Sequence, residues 1–318
     1  MASSRTILRT LKNLDQYLAQ FHQSLQSTYF EKLIAEAFAY ILHLPFYSTD
    51  NDQPTISHRV TWRGSINPTI SRSPAGGPDT ITYCYGFCLT IEATLKTGAN
   101  QWSQEFAPSI RHCEDFCSQS QINPRDAFAL LICNKMHRDT FRSIKSNPRE
   151  EYKLIPIEIS DISRILETSI LAFTMRHLEL RKLLNQISEC IRNSSSLDNF
   201  QRSVEDVVIN WQKEVLRIEK SAFLGVKSYE AMRKTNRTHV GASEILQKLQ
   251  RHQTVNKYLK VIDEKLSFDS IGDCLIQQSL ASQLSPTIEG EKIFSPVPPT
   301  DFRERGLRLI GTVEAING

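Results

Sequence analysis

Asp79, Glu92 and Glu105 follow one another at intervals of thirteen residues. Three carboxylates brought together repel one another and titrate upward unless a cation neutralises them. Hard oxygen ligands with open positions suit Mg²⁺ or Mn²⁺. Such an ion can polarise a phosphodiester, activate water and stabilise the leaving oxygen. The alternative is three separate exposed acids, and spacing alone leaves both open.

The surrounding elements decide whether the acids can meet. Gly77-Pro78-Asp79 ends a loop and opens a strand, and residues 79–96 read as two strands with Gly86 near their turn. In Leu89-Thr-Ile-Glu-Ala-Thr-Leu95, period two puts Glu92, Thr94 and Lys96 on one face. Residues 99–119 predict a helix, interrupted or restarted at Pro108, because proline lacks the N–H and clashes inside a helix. Gln101 and Glu105 then share a face of that helix.

Upstream, apolar residues at three- and four-residue steps predict helices over 6–26 and 28–43, the second capped by Thr28 with Glu31 three residues on. Residues 44–78 are punctuated by proline and glycine, carry Arg59, Arg63 and Arg72, and have no acid from 53 to 78. That is a solvated loop or a basic approach to phosphate. Downstream, a strand at 128–133, a helix at 138–145, a strand at 152–157 and helix over 160–192 complete a three-layer α/β core with a mixed sheet.

Asn193-Ser-Ser-Ser196 marks the expected boundary. Beyond it, helices are predicted at 200–235, 242–250, 254–264 and 269–283, with Thr254 and Ser267 as caps. A hairpin follows at 288–294, and a last helix at 301–316. Three short helices followed by a hairpin is the order of a winged helix. Residues 217–265 hold 11 Lys/Arg against 5 Asp/Glu. Helix 254–264, with Lys257 and Lys260, is the first candidate to read a major groove; helix 242–250, with Lys248, is the second. A helical scaffold or dimer surface is the alternative.

Other constellations are weaker. Cys84/Cys88 and Cys113/Cys117 repeat one spacing beside His112, which admits a structural Zn²⁺. Buried small apolar residues give the same pattern. Lys135, His137, Arg138, Arg142 and Lys145 form a basic run after a strand, either a solvated face or a phosphate-positioning one. No Walker A loop or GxGxxG is present, so a bound nucleotide is not indicated.

The Pro78-Asp79 … Glu92-Ala-Thr pattern resembles the PD-(D/E)XK nuclease superfamily. The fuller string Glu92-x-Thr-Leu-x-x-Gly98-x-x-Gln101-x-x-x-Glu105-x-x-Pro108-x-x-Arg111-His112 is similar to the AlwI-type restriction endonucleases, with their type IIS and nicking relatives. The resemblance covers roughly residues 28–170. It implies that Asp79 and Glu92 are the principal metal ligands, with Glu105 a third acid. It also implies an acid on the first core helix, and Glu31, on the flank of the apolar stripe, fits better than Glu36. The superfamily's usual lysine two residues after the second acid is Thr94 here, as in the AlwI-type enzymes. Lys96 can orient water or neutralise the scissile phosphate, or be an ordinary strand-end lysine. Gln101 can hold the attacking water or a phosphate, or be a surface amide. Arg111 and His112 are candidate phosphate contacts, with a hydrogen-bonded core histidine the alternative for His112.

The composition agrees with these expectations without demanding them. Lys+Arg number 38 and Asp+Glu 35, a net charge of +3, so the total neither requires nor excludes nucleic acid. Apolar residues at 40% and charged residues at 23% argue against a mainly disordered chain and leave room for about two domains. No apolar run spans a membrane, no secretory signal is visible, and seven cysteines are an odd number. An intracellular location with reduced thiols is thus expected, and the family resemblance implies that it is a prokaryotic cytoplasm.

The domains are expected at 1–27 (N-terminal helix), 28–192 (PD-(D/E)XK core: a central mixed sheet flanked by helices) and 199–318 (a mainly helical DNA-binding or assembly domain of winged-helix order). The expected function is a Mg²⁺- or Mn²⁺-dependent endonuclease of double-stranded DNA in restriction or defence. A dimer or a second nuclease subunit would be needed to cut both strands. The alternative is a noncatalytic DNA-binding or assembly subunit with a degenerate core, favoured by Thr94 and opposed by the intact acid spacing.

Overall fold

The computed structural model describes residues 3–43, 46–47, 69–72, 77–84, 86–146, 153–172, 177–237, 239–277, 281–288 and 291–296. Most of the loop expected over 44–78 and the whole of the last helix expected at 301–316 lie outside them, and the loop's described parts Phe46–Tyr47 and Thr69–Arg72 are strands. The chain divides into two compact units, 1–170 with 175–211, and 171–174 with 212–318. The Asn193–Ser196 segment, expected as the boundary, is a loop within the first unit. The division falls instead inside a continuous helix after Trp211, because nothing in residues 197–233 breaks helical hydrogen bonding.

The first unit opens with helices α1 (Ser4–Lys12), α2 (Leu14–Leu18) and α3 (Gln23–Ile41). The single helix expected over 6–26 is therefore broken. α3 starts five residues before Thr28, capped by His22, whose ring nitrogen accepts from the Ser24 N–H at 3.4 Å. Thr28 is interior to the helix, so Glu31 is released from a capping role. Phe30, Ile34, Phe38 and Ile41 of α3 are fully buried. Each such side chain contributes about 1.5–3 kcal/mol by leaving water.

The sheet has strand order β1 (Phe46–Tyr47), β2 (Thr69–Arg72), β3 (Thr80–Cys84), β4 (Phe87–Thr94), β5 (Ala127–Cys133), β6 (Lys153–Glu158). β2, β3 and β4 are antiparallel neighbours, whereas β4, β5 and β6 run parallel. The expected mixed sheet is thus observed. Gly86, at φ +80°, takes the left-handed turn between β3 and β4 that side chains disfavour. Every residue of β4 and β5 is buried, so helices cover both faces. α3 packs on β2 and β4, and α5 (Ala107–Ser120) on β4 and β5. α6 (Arg138–Ser146) links β5 to β6, and α7 (Ile159–Leu171) follows β6 directly. Pro156 is tolerated in β6 because that strand lies at the end of the sheet order.

Between β4 and α5 the chain forms α4 (Ala99–Gln101) and a π-turn, Trp102–Phe106. The wide turn sits immediately before Pro108, which cannot donate the regular α-helical bond.

Helix α8 (His177–Asn193) packs on β6, and α9 (Leu197–Arg233) runs from the first unit into the second. The second unit continues with β7 (Val240–Gly241), α10 (Ala242–Gln250), α11 (Gln253–Ile262), α12 (Phe268–Gln277), β8 (Ala281–Ile288) and β9 (Glu291–Pro296). Its antiparallel sheet has order β7-β9-β8. Tyr258 and Phe223 stack at 3.9 Å in its core, and the Tyr258 hydroxyl donates to the Leu216 carbonyl. Two expectations shift here. Residues 281–283 are strand, not helix, and α11 is preceded by His252, leaving Thr254 inside the helix. Ser267 does cap α12, accepting from the Ser270 N–H at 3.3 Å.

Candidate active site

The antiparallel register of β3 and β4, with Thr80 opposite Ile91, carries Asp79 to the end of β4. There its Oδ2 accepts the Ala93 N–H at 2.8 Å. Glu92 stands on the adjoining residue of β4, only 7% exposed. Glu105, on the π-turn, has its Oε1 2.5 Å from the Lys96 Nζ. The fields of Glu31 and Glu105 both bear on Asp79 and Glu92, while Glu36 bears on Tyr17 instead. The structure therefore groups Asp79, Glu92, Glu105, Glu31 and Lys96, and leaves Glu36 apart.

This grouping sets the electrostatics. Burial, then the charge of Glu92, pushes the Asp79 carboxyl up to about 8, against the Ala93 N–H that pulls it down. Burial, then the charge of Glu105, pushes Glu92 up to about 8, with Asp79's hydrogen bonding opposing. The two carboxyls titrate together and hold a proton at neutral pH.

His112 lies in this cluster, its Nδ1 2.5 Å from Glu92 Oε1. Burial, then Arg111, holds the imidazole below its usual range while Glu92 is raised. The contact is thus a short hydrogen bond with a neutral ring, not an ion pair. Of the two readings of His112, a phosphate contact and a hydrogen-bonded core histidine, the geometry matches the second: the ring braces an acid. A signal was present, since His112 is seven residues after Glu105, two helical turns on.

Gln101 is corrected. It is completely buried, and all its partners are backbone. Its Nε2 donates to the carbonyls of Lys96 (3.2 Å) and Lys135 (3.0 Å), and its Oε1 accepts from the His137 N–H at 2.8 Å. It ties the segment after β4 to the segment after β5 and offers nothing to DNA. Thr94, at the position of the usual lysine, is buried and accepts the Lys96 N–H at 3.0 Å, which fixes the exit of β4.

The outlying basic candidates are spread. Arg111 and Lys135 are exposed. Arg138 is exposed beside Asp139 at 3.8 Å. In the second unit, Lys257 and Lys260 are exposed on α11, and Lys248 on α10 pairs with Glu244 at 3.3 Å. The cysteines are free thiols, and Cys84, Cys88, Cys113 and Cys117 are buried, with Cys113 and Cys117 hydrogen-bonded to each other. Among the described residues no three His, Cys, Asp or Glu side chains stand ready to hold a metal ion, so the cysteine pairs make no zinc cage. No helix among them is long and apolar enough to cross a membrane.

Fold and site together define an α/β protein with a buried acidic centre where the two middle strands of a mixed sheet end. The model of the AlwI restriction endonuclease family matches residues 2–165 of this chain, more than half of it. The chain belongs to the AlwI restriction endonuclease family. Among solved structures it is similar to the small subunit (R.BspD6I2) of the heterodimeric restriction endonuclease R.BspD6I. The identity is 17% over 65% of this chain and 98% of that one, with a TM-score of 0.44. No curated protein matches.

Proposed function

We propose that this chain is a Mg²⁺- or Mn²⁺-dependent endonuclease of restriction type that hydrolyses double-stranded DNA, built on a PD-(D/E)XK core. Family membership supports the activity class. The observation that carries the site is the convergence of Asp79 and Glu92, both pushed far above the carboxylate range inside one buried cluster. Buried, mutually repelling carboxylates gather at functional sites, and a bound cation would relieve their repulsion.

The donor chemistry fits a hard dication: Asp79, Glu92 and Glu105 offer carboxylate oxygens, and Lys96 and His112 hold two of these acids where a cation would replace them. The bound ion supplies Lewis acidity to the scissile phosphate and to water. The remaining work falls to the chain. Asp79 and Glu92 would hold the ion once their shared proton had passed to solvent, and Lys96, which pairs with Glu105 in the metal-free protein, would then be available to face the phosphate charge. His112 keeps the Glu92 carboxyl in its rotamer, and Gln101 keeps the two strand exits in register.

The second unit is proposed to position duplex DNA. The order β7, α10, α11, α12, β8, β9, with β9 between the other two strands, supports a winged-helix reading with one additional helix. Exposed Lys257 and Lys260 suit phosphate contact. One nuclease core cuts one strand per engagement, so double-strand cleavage calls for a second copy or a partner subunit. The expected location is the cytoplasm of a prokaryotic cell, in restriction or another defence against foreign DNA.

A noncatalytic DNA-binding or assembly subunit is the second reading, favoured by the absence of a ready metal cage among the described residues and by threonine in place of lysine at position 94. Incubating the protein with supercoiled plasmids of varied sequence and Mg²⁺, beside Glu92→Ala, separates the two. Metal-dependent nicking or cutting lost in the variant supports the nuclease. Absence of cleavage supports the assembly subunit, and equal activity in the variant removes the site assignment.

A further inference from the structure

A cavity of about 310 Å³ opens in the first unit where β6 runs into α7, with the start of α9 as its other wall. It is roughly the share of ten liquid waters. It contains none of the acids of the candidate active site. Glu158, Asp161, Asp198 and Glu205 contribute four carboxylates against the guanidiniums of Arg164 and Arg202. The Arg164 Nη2 is already spent on Glu205 Oε1 at 2.7 Å. Glu158 Oε1 accepts from the Met136 N–H at 2.9 Å and the Gln201 Nε2 at 2.6 Å, which fixes its carboxylate on the wall.

Asp161 is the anomaly. It is only 8% exposed and lines the cavity, yet no hydrogen-bond donor or ion-pair partner reaches it among the described residues. Its oxygens open onto the cavity, where a cationic head would supply a partner that the walls do not. Burial, then repulsion by Glu158, pushes its carboxyl up to about 6 against the opposing charge of Arg164, so it is ionised at neutral pH.

We propose that this cavity is a binding site for an organic cation, a primary ammonium or guanidinium on an aliphatic stem, whose charged head is taken by Asp161 and Glu158. The sign follows from the surplus of carboxylates. The organic class follows from the walls: Met136, Pro156, Phe200 and Val204 are apolar and line the cavity, which suits methylenes and not a hydrated ion. Such a head comes either from a free polyamine or from a lysine or arginine of a partner chain.

The test is calorimetric titration of the full-length protein without DNA or divalent metal, at constant ionic strength. The probes are spermidine and the capped amino acids Nα-acetyl-lysine amide and Nα-acetyl-arginine amide. Saturable binding is expected, weakened at least tenfold in Asp161→Asn and in Glu158→Gln. It should be unchanged in Asp206→Asn, an exposed acid of α9 outside the cavity, and in Glu92→Gln, which checks that the amine is not in the acidic active site. Tighter spermidine binding assigns the site to a free polyamine; tighter binding of a capped amino acid assigns it to a partner's basic side chain. Asp161→Asn should fold, because it removes an unpaired charge, and circular dichroism confirms this. The proposal is overturned by no saturable binding of any probe, by equal affinity in both cavity variants, or by Ca²⁺ binding that needs Asp161 while the amines do not bind.

Discussion

Replacing Glu92 by glutamine should stabilise the metal-free protein while it removes cleavage. The side chain keeps its shape, stays in reach of His112 and loses its charge. Glu92 is 7% exposed and raised from 4.5 to about 8 by burial and neighbouring acids. For an acid raised on folding, the folded state keeps a proton that the unfolded chain has lost. Stability therefore falls as pH climbs from 4.5 towards 8. At pH 7 the ceiling is about 3 kcal/mol, from ~1.36 kcal/mol per unit over roughly 2.5 units. Sharing the proton with Asp79 brings the expected gain to about 2 kcal/mol, or roughly 4–8 °C in Tm for a unit of this size. The assay is thermal unfolding by circular dichroism in EDTA, at pH 7.5 and pH 4.5. The gap should be largest at pH 7.5 and nearly close at pH 4.5. A variant less stable than wild type at pH 7.5, or a gap independent of pH, would refute the claim that Glu92 sits in a self-repelling cluster.

Other consequences are equally direct. Gln101→Ala should cost about 2–4 kcal/mol in urea unfolding, since three backbone groups lose their partner; a cost under ~0.5 kcal/mol would show that the clamp is idle. Asp161→Asn should raise stability at pH 7 by roughly 2 kcal/mol, with the gain fading as pH falls from about 6 to 3.8, where Glu158, Arg164 and Glu205 set the residual field; a pH-independent effect contradicts the unpaired-acid reading. Lys260→Ala should lower the slope of log K against log salt for duplex binding by about 1; an unchanged slope removes α11 from the DNA face. Trp102 is 43% exposed on the π-turn that carries Glu105. Its fluorescence should be quenched by duplex DNA, and Trp102→Phe should abolish that change; quenching that survives in the variant belongs to another tryptophan.

The hairpin that brings Asp79 to Glu92 was legible because strand alternation and a turn glycine are local signals. Beyond those signals the sequence was less informative. The first helices were misjudged at their starts: His22 is an uncommon cap, and the apolar stripe continues smoothly through the real N-terminus of α3. Gln101 was open between a substrate contact and a surface amide, and His112 between a phosphate contact and a hydrogen-bonded core histidine. One is a buried clamp and the other a brace for Glu92. Their roles depend on where the segments after β4 and β5 converge, a tertiary fact that spacing along one helix does not carry. The π-turn before Pro108 is of the same kind, since proline forbids the regular bond without specifying what replaces it. The cavity at Asp161 left no pattern at all, because its walls come from β6, α7 and α9, over forty residues apart in places.

The central claim is that Asp79 and Glu92 form a divalent-metal centre whose acids are protonated until the ion arrives. Calorimetric titration with Mn²⁺ at pH 7, repeated in buffers of different ionisation enthalpy, measures both binding and proton release. The account predicts saturable binding that expels on the order of one proton per ion, with both signals lost in Glu92→Gln. Binding without proton release, or binding retained in the variant, would contradict it.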